Sequence, residues 1–204
     1  MTVDFDVKSR VAREAATLLY FGAEKEYKQA KERAARTLGT HFLPSNLEVA
    51  LELDKIAEEN EGAKRKERLI QMRNEALKIM KLLDAYCPVL IGSVWRGTIR
   101  QGSDIDIAVY TDEPEEIIKI LKAKDVEVLK TARTTVNKRG VTSQSLHVYA
   151  ETSFGHGLEI VIRSREEAGK KRKCETFGDE LKGLKIKELE IILDTNPTQQ
   201  FIPS

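Results

Sequence analysis

At Pro88 the hydrophobic period of this 204-residue chain changes. Before it, apolar residues recur every three or four positions, the signature of amphipathic helices; after it they form short runs or alternate, as strands do. Such a chain has to pack a helical part and a sheet, each burying one face. The expected class is therefore α+β, with an N-terminal helical region and a mixed β-sheet flanked by helices.

Three helices precede the change. From Lys8 to Leu38, Val11, Ala15, Leu18, Leu19, Ala23 and Tyr27 follow the helical period, which predicts one long helix, bent near Gly22 and ended by Gly39. Ser45 and Glu48 form a capping-box pattern after Pro44, opening a second helix that ends near Gly62. A third runs from Ala63 to Tyr86 with Leu69, Met72, Ala76, Ile79, Met80 and Leu83 on one stripe.

Beyond Pro88, Val89 to Ile91 reads as a short buried strand ending at Gly92. Asp104 to Tyr110 alternates, with Ile105, Ile107 and Val109 on one side and Asp104, Asp106 and Ala108 on the other. Pro114 opens a short helix. Val126 to Val136 and Ser145 to Ala150 read as a hairpin connected through Asn137 and Gly140, and Leu158 to Arg163 alternates again with Glu159 opposite its apolar side. Helical pieces are expected around Glu166 to Cys174 and Ile186 to Leu193, followed by a seven-residue tail. The division expected is 1–86, 87–164 and 165–204.

Chemistry concentrates between Ile91 and Ile107. Two aspartates two apart on a strand place their side chains about 6 to 7 Å apart on one face. Packing does not ask for Asp there, and the like charges repel. A hard divalent cation relieves that repulsion, and Mg²⁺ commonly takes one or two protein carboxylates with the rest of its oxygens from water and phosphate. Glu159 adds a third carboxylate by the same reasoning, with Glu151, in the turn after Ala150, as the other candidate. Gly92 allows a close backbone approach, and Ser93 offers a hydroxyl and an N–H where the chain leaves the strand, a way of holding phosphate oxygens. A cation on one side and a phosphate cradle on the other describe a nucleoside triphosphate site.

Gly92-Ser93, ten intervening positions, then Asp104-Ile105-Asp106-Ile107 resembles the signature of the DNA polymerase beta superfamily of nucleotidyltransferases. Arg96-Gly97 and Ser103 match the form seen in its small single-palm members, and the chain as a whole is similar to archaeal proteins of predicted nucleotidyltransferase type. The resemblance covers Pro88 to Arg163 and implies a nucleotidyltransferase palm. It implies metal-dependent transfer of a nucleoside monophosphate, with AMP expected, from an NTP to an acceptor hydroxyl on a protein or RNA, releasing pyrophosphate. Carried over by position, Gly92, Ser93, Arg96 and Ser103 bind nucleotide, while Asp104, Asp106 and Glu159 are catalytic and hold two Mg²⁺ or Mn²⁺ ions. The family's third carboxylate is more often Asp, so Glu159 departs from its pattern. Arg96, Arg100 or Arg163 are candidates to offset charge on the pyrophosphate.

Composition sets the outer bounds. Charged residues make up 33% of the chain, and 34 Lys and Arg against 33 Asp and Glu leave +1, which argues against a dedicated nucleic-acid coat. The basic runs at Lys130, Arg133, Lys138 and Arg139, and from Arg163 to Lys173, are a solvated face or a guide for a phosphate-rich acceptor. Cys87 and Cys174 read as reduced thiols, and no apolar run is long enough to span a membrane, so a cytoplasmic protein with no membrane partner is expected. Trp95 reads as a packing residue. His147 and His156 read as structural, with His156 the nearer of the two to the site. Homodimerisation through the N-terminal helices is a further expectation. The alternative function is a non-catalytic nucleotide- or RNA-binding palm, or an antitoxin-like partner protein.

Overall fold

The computed structural model describes residues 2–124, 126–138 and 141–203, with side chains for 6–124, 126–135 and 143–203. The chain forms two compact units: residues 1–65, 173–180 and 202–204, and residues 66–172 and 181–201.

The first unit is helical. Helix α1 (Thr2–Tyr20) and α2 (Tyr27–Thr37) replace the single long helix expected, because Gly22 takes φ +71° and its N–H bonds back to the Leu19 carbonyl at 3.3 Å. A left-handed residue ends a helix rather than bending it. Helix α3 (Asn46–Leu82) opens on the capping box read from the sequence: Glu48 N–H donates to Ser45 Oγ at 3.2 Å and Ser45 N–H to Glu48 Oε2 at 2.6 Å. It breaks at Gly62, whose φ of 51° and ψ of −130° lie outside the helical region. The core of this unit is alanine-rich, with Val11, Ala12, Ala15, Ala16, Ala30, Ala34 and Ala35 packed against Val49 and Ile56. Small side chains let the helix backbones approach closely. Residues 173–180 belong to this unit, and Asn46 Nδ2 donates to the Glu175 carbonyl at 3.3 Å.

The second unit is built on a five-stranded sheet in the order β1-β2-β5-β4-β3. Its strands are β1 (Val89–Ile91), β2 (Ile105–Tyr110), β3 (Glu127–Lys138), β4 (Val141–Glu151) and β5 (Gly157–Arg163). Strands β2 and β5 are parallel and the other pairs antiparallel, so the sheet is mixed and the fold α+β as expected. One face carries Ile105, Ile107, Val109, Leu158, Ile160 and Ile162, buried with Met72 and Met80 of α3, Leu83 just after it, Ile117 and Leu121 of α5 (Pro114–Ala123) and Leu189 of α6 (Ile186–Thr195). Each such side chain contributes about 1.5–3 kcal/mol on burial.

Residues 66–86 share the apolar stripe of the helical region, and in the compact units they fall with the sheet. The hairpin is longer than read from the sequence. Asn137 lies in β3 opposite Thr142, while Arg139 and Gly140 and the side chain of Lys138 lie outside the described residues. An extra residue in β3 between Val128 and Lys130 leaves Leu129 exposed and restores the face alternation. After β5 only Arg165–Glu167 forms a 3₁₀ turn; Gly169, at φ +78°, stops the helix expected there.

The last residues are not a loose tail. Arg73, fully buried in α3, donates from Nη1 to the Pro197 carbonyl at 2.7 Å and from Nη2 to those of Gln199 and Trp95 at 2.8 and 2.9 Å. Its Nε donates to the Val94 carbonyl at 3.1 Å. Burial pushes this guanidinium down to about 10. Trp95 is buried and stacks on Phe201 with ring centroids 6.4 Å apart.

Candidate active site

The face of the sheet opposite the core carries the polar residues of every central strand. Register sets their order: Asp106 of β2 stands beside Glu159 of β5, and Glu159 beside Tyr149 of β4. Asp104 precedes β2 and takes the next place in its row, against Gly157. An added Cβ at Gly157 would lie 2.0 Å from Asp104 Oδ1, and one at Gly92 would lie 1.9 Å from Asp106 Oδ2. Both glycines therefore make room for a carboxylate. Gly92 also needs its φ of +71° to turn the chain from β1 into α4 (Gly92–Arg96).

The carboxylates crowd one another. Burial first, then the charges of Glu159 and Asp104 and a hydrogen bond to Glu159, hold Asp106 well above the usual carboxylate range. Burial and then Glu159 raise Asp104, with Arg100 acting weakly against them. Tyr149 stands opposite Glu159, and burial followed by that carboxylate raises its phenol. It is Glu159, not Glu151, whose charge is felt at both aspartates.

His147 completes the row. Its Nδ1 lies 2.5 Å from Glu159 Oε1, and its Nε2 lies 2.9 Å from Ser145 Oγ. A carboxylate only accepts, so the proton sits on Nδ1 and Ser145 donates to Nε2. His156 is elsewhere: its Nδ1 lies 3.0 Å from Oε1 of the buried Glu75. The reading that favoured His156 is thus reversed. Strand parity puts His147 on one face with Tyr149, but only the β4–β5 register brings that face to Glu159.

The remaining sequence candidates divide. Ser93 begins α4 beside Gly92, and its hydroxyl makes no hydrogen bond among the described residues. Ser103 closes the preceding loop by accepting the Arg100 N–H at 2.9 Å. Arg96 is not brought to the carboxylates: it is buried and donates to the Phe201 carbonyl at 2.8 Å.

Among the described residues no three Asp, Glu, His or Cys side chains already converge as a ligand set. The donor chemistry nevertheless fits a hard divalent cation. Three carboxylates stand in neighbouring places on the uncovered face, and none of them forms an ion pair with Lys or Arg among the described residues.

A mixed sheet covered by helices on one side, with a row of carboxylates beside a glycine-serine corner on the other, defines a nucleotide-handling palm. Residues 74–187, more than half of the chain, match the Nucleotidyltransferase domain family, and the chain belongs to it. Among curated proteins none matches in sequence. Solved structures similar to it include a cytoplasmic RNA terminal U-transferase at 15% identity and a TM-score of 0.35, covering 59% of this chain and 35% of that one. The Cid1 poly(U) polymerase bound to MgATP is similar at 17% identity and 0.34, covering 56% and 39%. The GLD-2/RNP-8 complex follows at 14% and 0.31, covering 53% and 43%. The chain thus spans well under half the length of these proteins.

Proposed function

We propose that this protein is an NTP-dependent nucleotidyltransferase that moves a nucleoside monophosphate, with AMP the expected group, to an acceptor hydroxyl. The observation that carries the reading is the row of Asp104, Asp106 and Glu159 on the uncovered face of the sheet, beside the Gly92-Ser93 corner. In this reading Asp104, Asp106 and Glu159 hold Mg²⁺ or Mn²⁺. Bound there, the cation would offset charge on the phosphates and lower the pKa of the acceptor hydroxyl.

The chain's own groups do the rest. The Ser93 hydroxyl and the amides of the first α4 turn bind phosphate oxygens, and Ser103 fixes the loop that delivers Asp104. His147 holds the Glu159 carboxylate by a hydrogen bond, so that it meets the acceptor in one orientation. The acceptor oxygen bonds to the alpha phosphorus as the bond to the leaving pyrophosphate breaks, and the hydroxyl proton passes to Glu159. The acceptor is a protein or an RNA, and the same reading includes a cytoplasmic setting and a dimer through the N-terminal helices. No described helix is long and apolar enough to cross a membrane.

Each alpha-labelled NTP is incubated with the protein, Mg²⁺ or Mn²⁺ and a cell extract. Label should enter macromolecular acceptor, and Asp104→Ala should abolish it. Nucleotide binding without incorporation under any combination would favour the non-catalytic palm instead.

A further inference from the structure

Strand β4 presents Ser145, His147 and Tyr149 on the open face, because Tyr149 stands opposite Glu159 and alternate residues share its side. Ser145 Oγ lies 2.9 Å from His147 Nε2, and His147 Nδ1 lies 2.5 Å from Glu159 Oε1. Since the carboxylate accepts from Nδ1, the lone pair on Nε2 faces the Ser145 hydroxyl. A hydroxyl within reach of a base that a third group orients is the arrangement that makes a serine nucleophilic, on whatever fold it occurs. Burial does not demand the pair: Ser145 and His147 are only half-buried, so neither needed the other to avoid an unpaired polar atom in the core.

The hydroxyl also stands on the useful side of the carboxylates. Strand order runs β1, β2, β5, β4, so the Gly92-Ser93 corner after β1 lies on one flank of Asp106 and Glu159, and the Ser145–His147 pair lies on the other. Displacement at phosphorus sets the attacking and leaving oxygens in line, on opposite sides of the reacting atom. With the pyrophosphate end of a triphosphate at the corner, the β4 flank is where an attacking oxygen belongs. Two hydrogen bonds and one imidazole ring separate Ser145 Oγ from Glu159 Oε1, no more than about 8 Å. That leaves room for one phosphoryl group, with reacting atoms about 3 to 3.5 Å apart.

We propose that Ser145 is an acceptor of this protein's own reaction: the chain transfers a nucleoside monophosphate from an NTP to Ser145 Oγ. This rests on the nucleotidyltransferase reading and names one acceptor for it, a serine of the protein itself. Ser145 Oγ bonds to the alpha phosphorus as the bond from that phosphorus to the bridging oxygen breaks, and pyrophosphate leaves with the electron pair. For this acceptor the hydroxyl proton passes to His147 Nε2, and Glu159 stabilises the imidazolium through Nδ1. The products are a serine phosphodiester and pyrophosphate.

The test has two arms. In the first, the full chain is incubated with each alpha-labelled NTP and Mg²⁺ or Mn²⁺ without extract, and intact mass and peptide mapping read the product. Wild type should gain one nucleoside monophosphate on Ser145, at a rate independent of protein concentration because hydroxyl and carboxylates share one chain. Ser145→Ala should gain none. Ser143→Ala, on the same face with its hydroxyl on Glu167, should label like wild type. In the second arm a fluorophosphonate probe is added in EDTA without NTP: Ser145 Oγ bonds to its phosphorus and fluoride leaves. His147→Gln should slow that labelling about 100-fold or more, as loss of a general base does. Equal melting temperatures show that the variants are folded. Nucleotide on other residues only, or a probe rate equal in wild type and His147→Gln, overturns the proposal. If an external acceptor is labelled through Asp104 while Ser145 stays bare in both arms, the self-transfer fails and the nucleotidyltransferase reading stands. If Ser145 takes the probe but no NTP labels protein or extract, the nucleotidyltransferase reading fails and the self-transfer with it, and only the reactive serine remains.

Discussion

His147 Nδ1 lies 2.5 Å from Glu159 Oε1, on adjacent strands of the open face. The imidazole holds the carboxylate that stands beside Asp106, and Ser145 in turn orients the ring. Partners of this kind commonly set ligand orientation, and their loss costs about 10- to 100-fold in metal affinity or activity. His147→Ala should therefore lower transfer by that order and raise the Mg²⁺ concentration needed for half-maximal rate. Loss of rate at unchanged Mg²⁺ dependence would give His147 some other role.

The crowding of Asp106 makes a prediction about stability. Its folded pKa is raised, so its stabilising contribution is present below the unfolded value near 3.8 and is lost as pH rises through the raised value. In EDTA the melting temperature should fall across that window, and Mg²⁺, binding only the folded state, should raise it. Asp106→Asn removes the charge. At pH 7 in EDTA it should melt higher than wild type, by about 2–4 °C for each kcal/mol gained in a chain of this size, and no longer respond to Mg²⁺. A lower melting temperature for Asp106→Asn would contradict the repulsion argument.

Gly92 and Gly102 separate two kinds of glycine. Both have positive φ, +71° and +77°, but an added Cβ meets Asp106 Oδ2 at 1.9 Å in the first case and nothing within 4 Å in the second. Gly102→Ala should cost only backbone strain, about 1 kcal/mol or somewhat more, and leave transfer near wild type. Gly92→Ala has to displace the Asp106 carboxylate, and a misplacement of about 1 Å can cost about 100-fold in rate. Similar activity in the two variants would remove Gly92 from the site.

These residues also mark what the sequence could convey. The alternation through Asp104, Ile105, Asp106 and Ile107 announces both the core face and the acidic face, because strand period fixes side-chain direction locally. The capping pair Ser45 and Glu48 is legible for the same reason. The partner of Glu159 is not, because His147 meets it through the β4–β5 register, a long-range pairing that no local pattern encodes. Nor does composition distinguish Arg73 or Arg96, buried cations that serve carbonyls, from solvated ones. Residues 66–86 carry a stripe that suits either a helix bundle or a sheet, and only packing decides between them.

The C-terminal segment supplies the final prediction. Arg73 is a buried cation, and the described partners of its guanidinium are carbonyls: those of Val94 and Trp95 in α4, and those of Pro197 and Gln199 in the segment after α6. Arg96 adds the Phe201 carbonyl, and Gln200 Nε2 donates to the Gly97 carbonyl at 3.2 Å. Removing residues 197–204 would strip Arg73 of two acceptors while it remains buried, and leaving a buried charged donor unpaired costs about 3–5 kcal/mol. The truncated protein should melt at least several degrees lower. Because the same carbonyl network fixes α4, which begins at Gly92 and Ser93, its KM for NTP should rise as well. Arg73→Met in the truncated chain should recover part of the melting temperature, since no buried charge is then left without acceptors. A truncation that melts like the full chain, or an Arg73→Met change that lowers it further, would show that the segment does not hold α4 through this arginine.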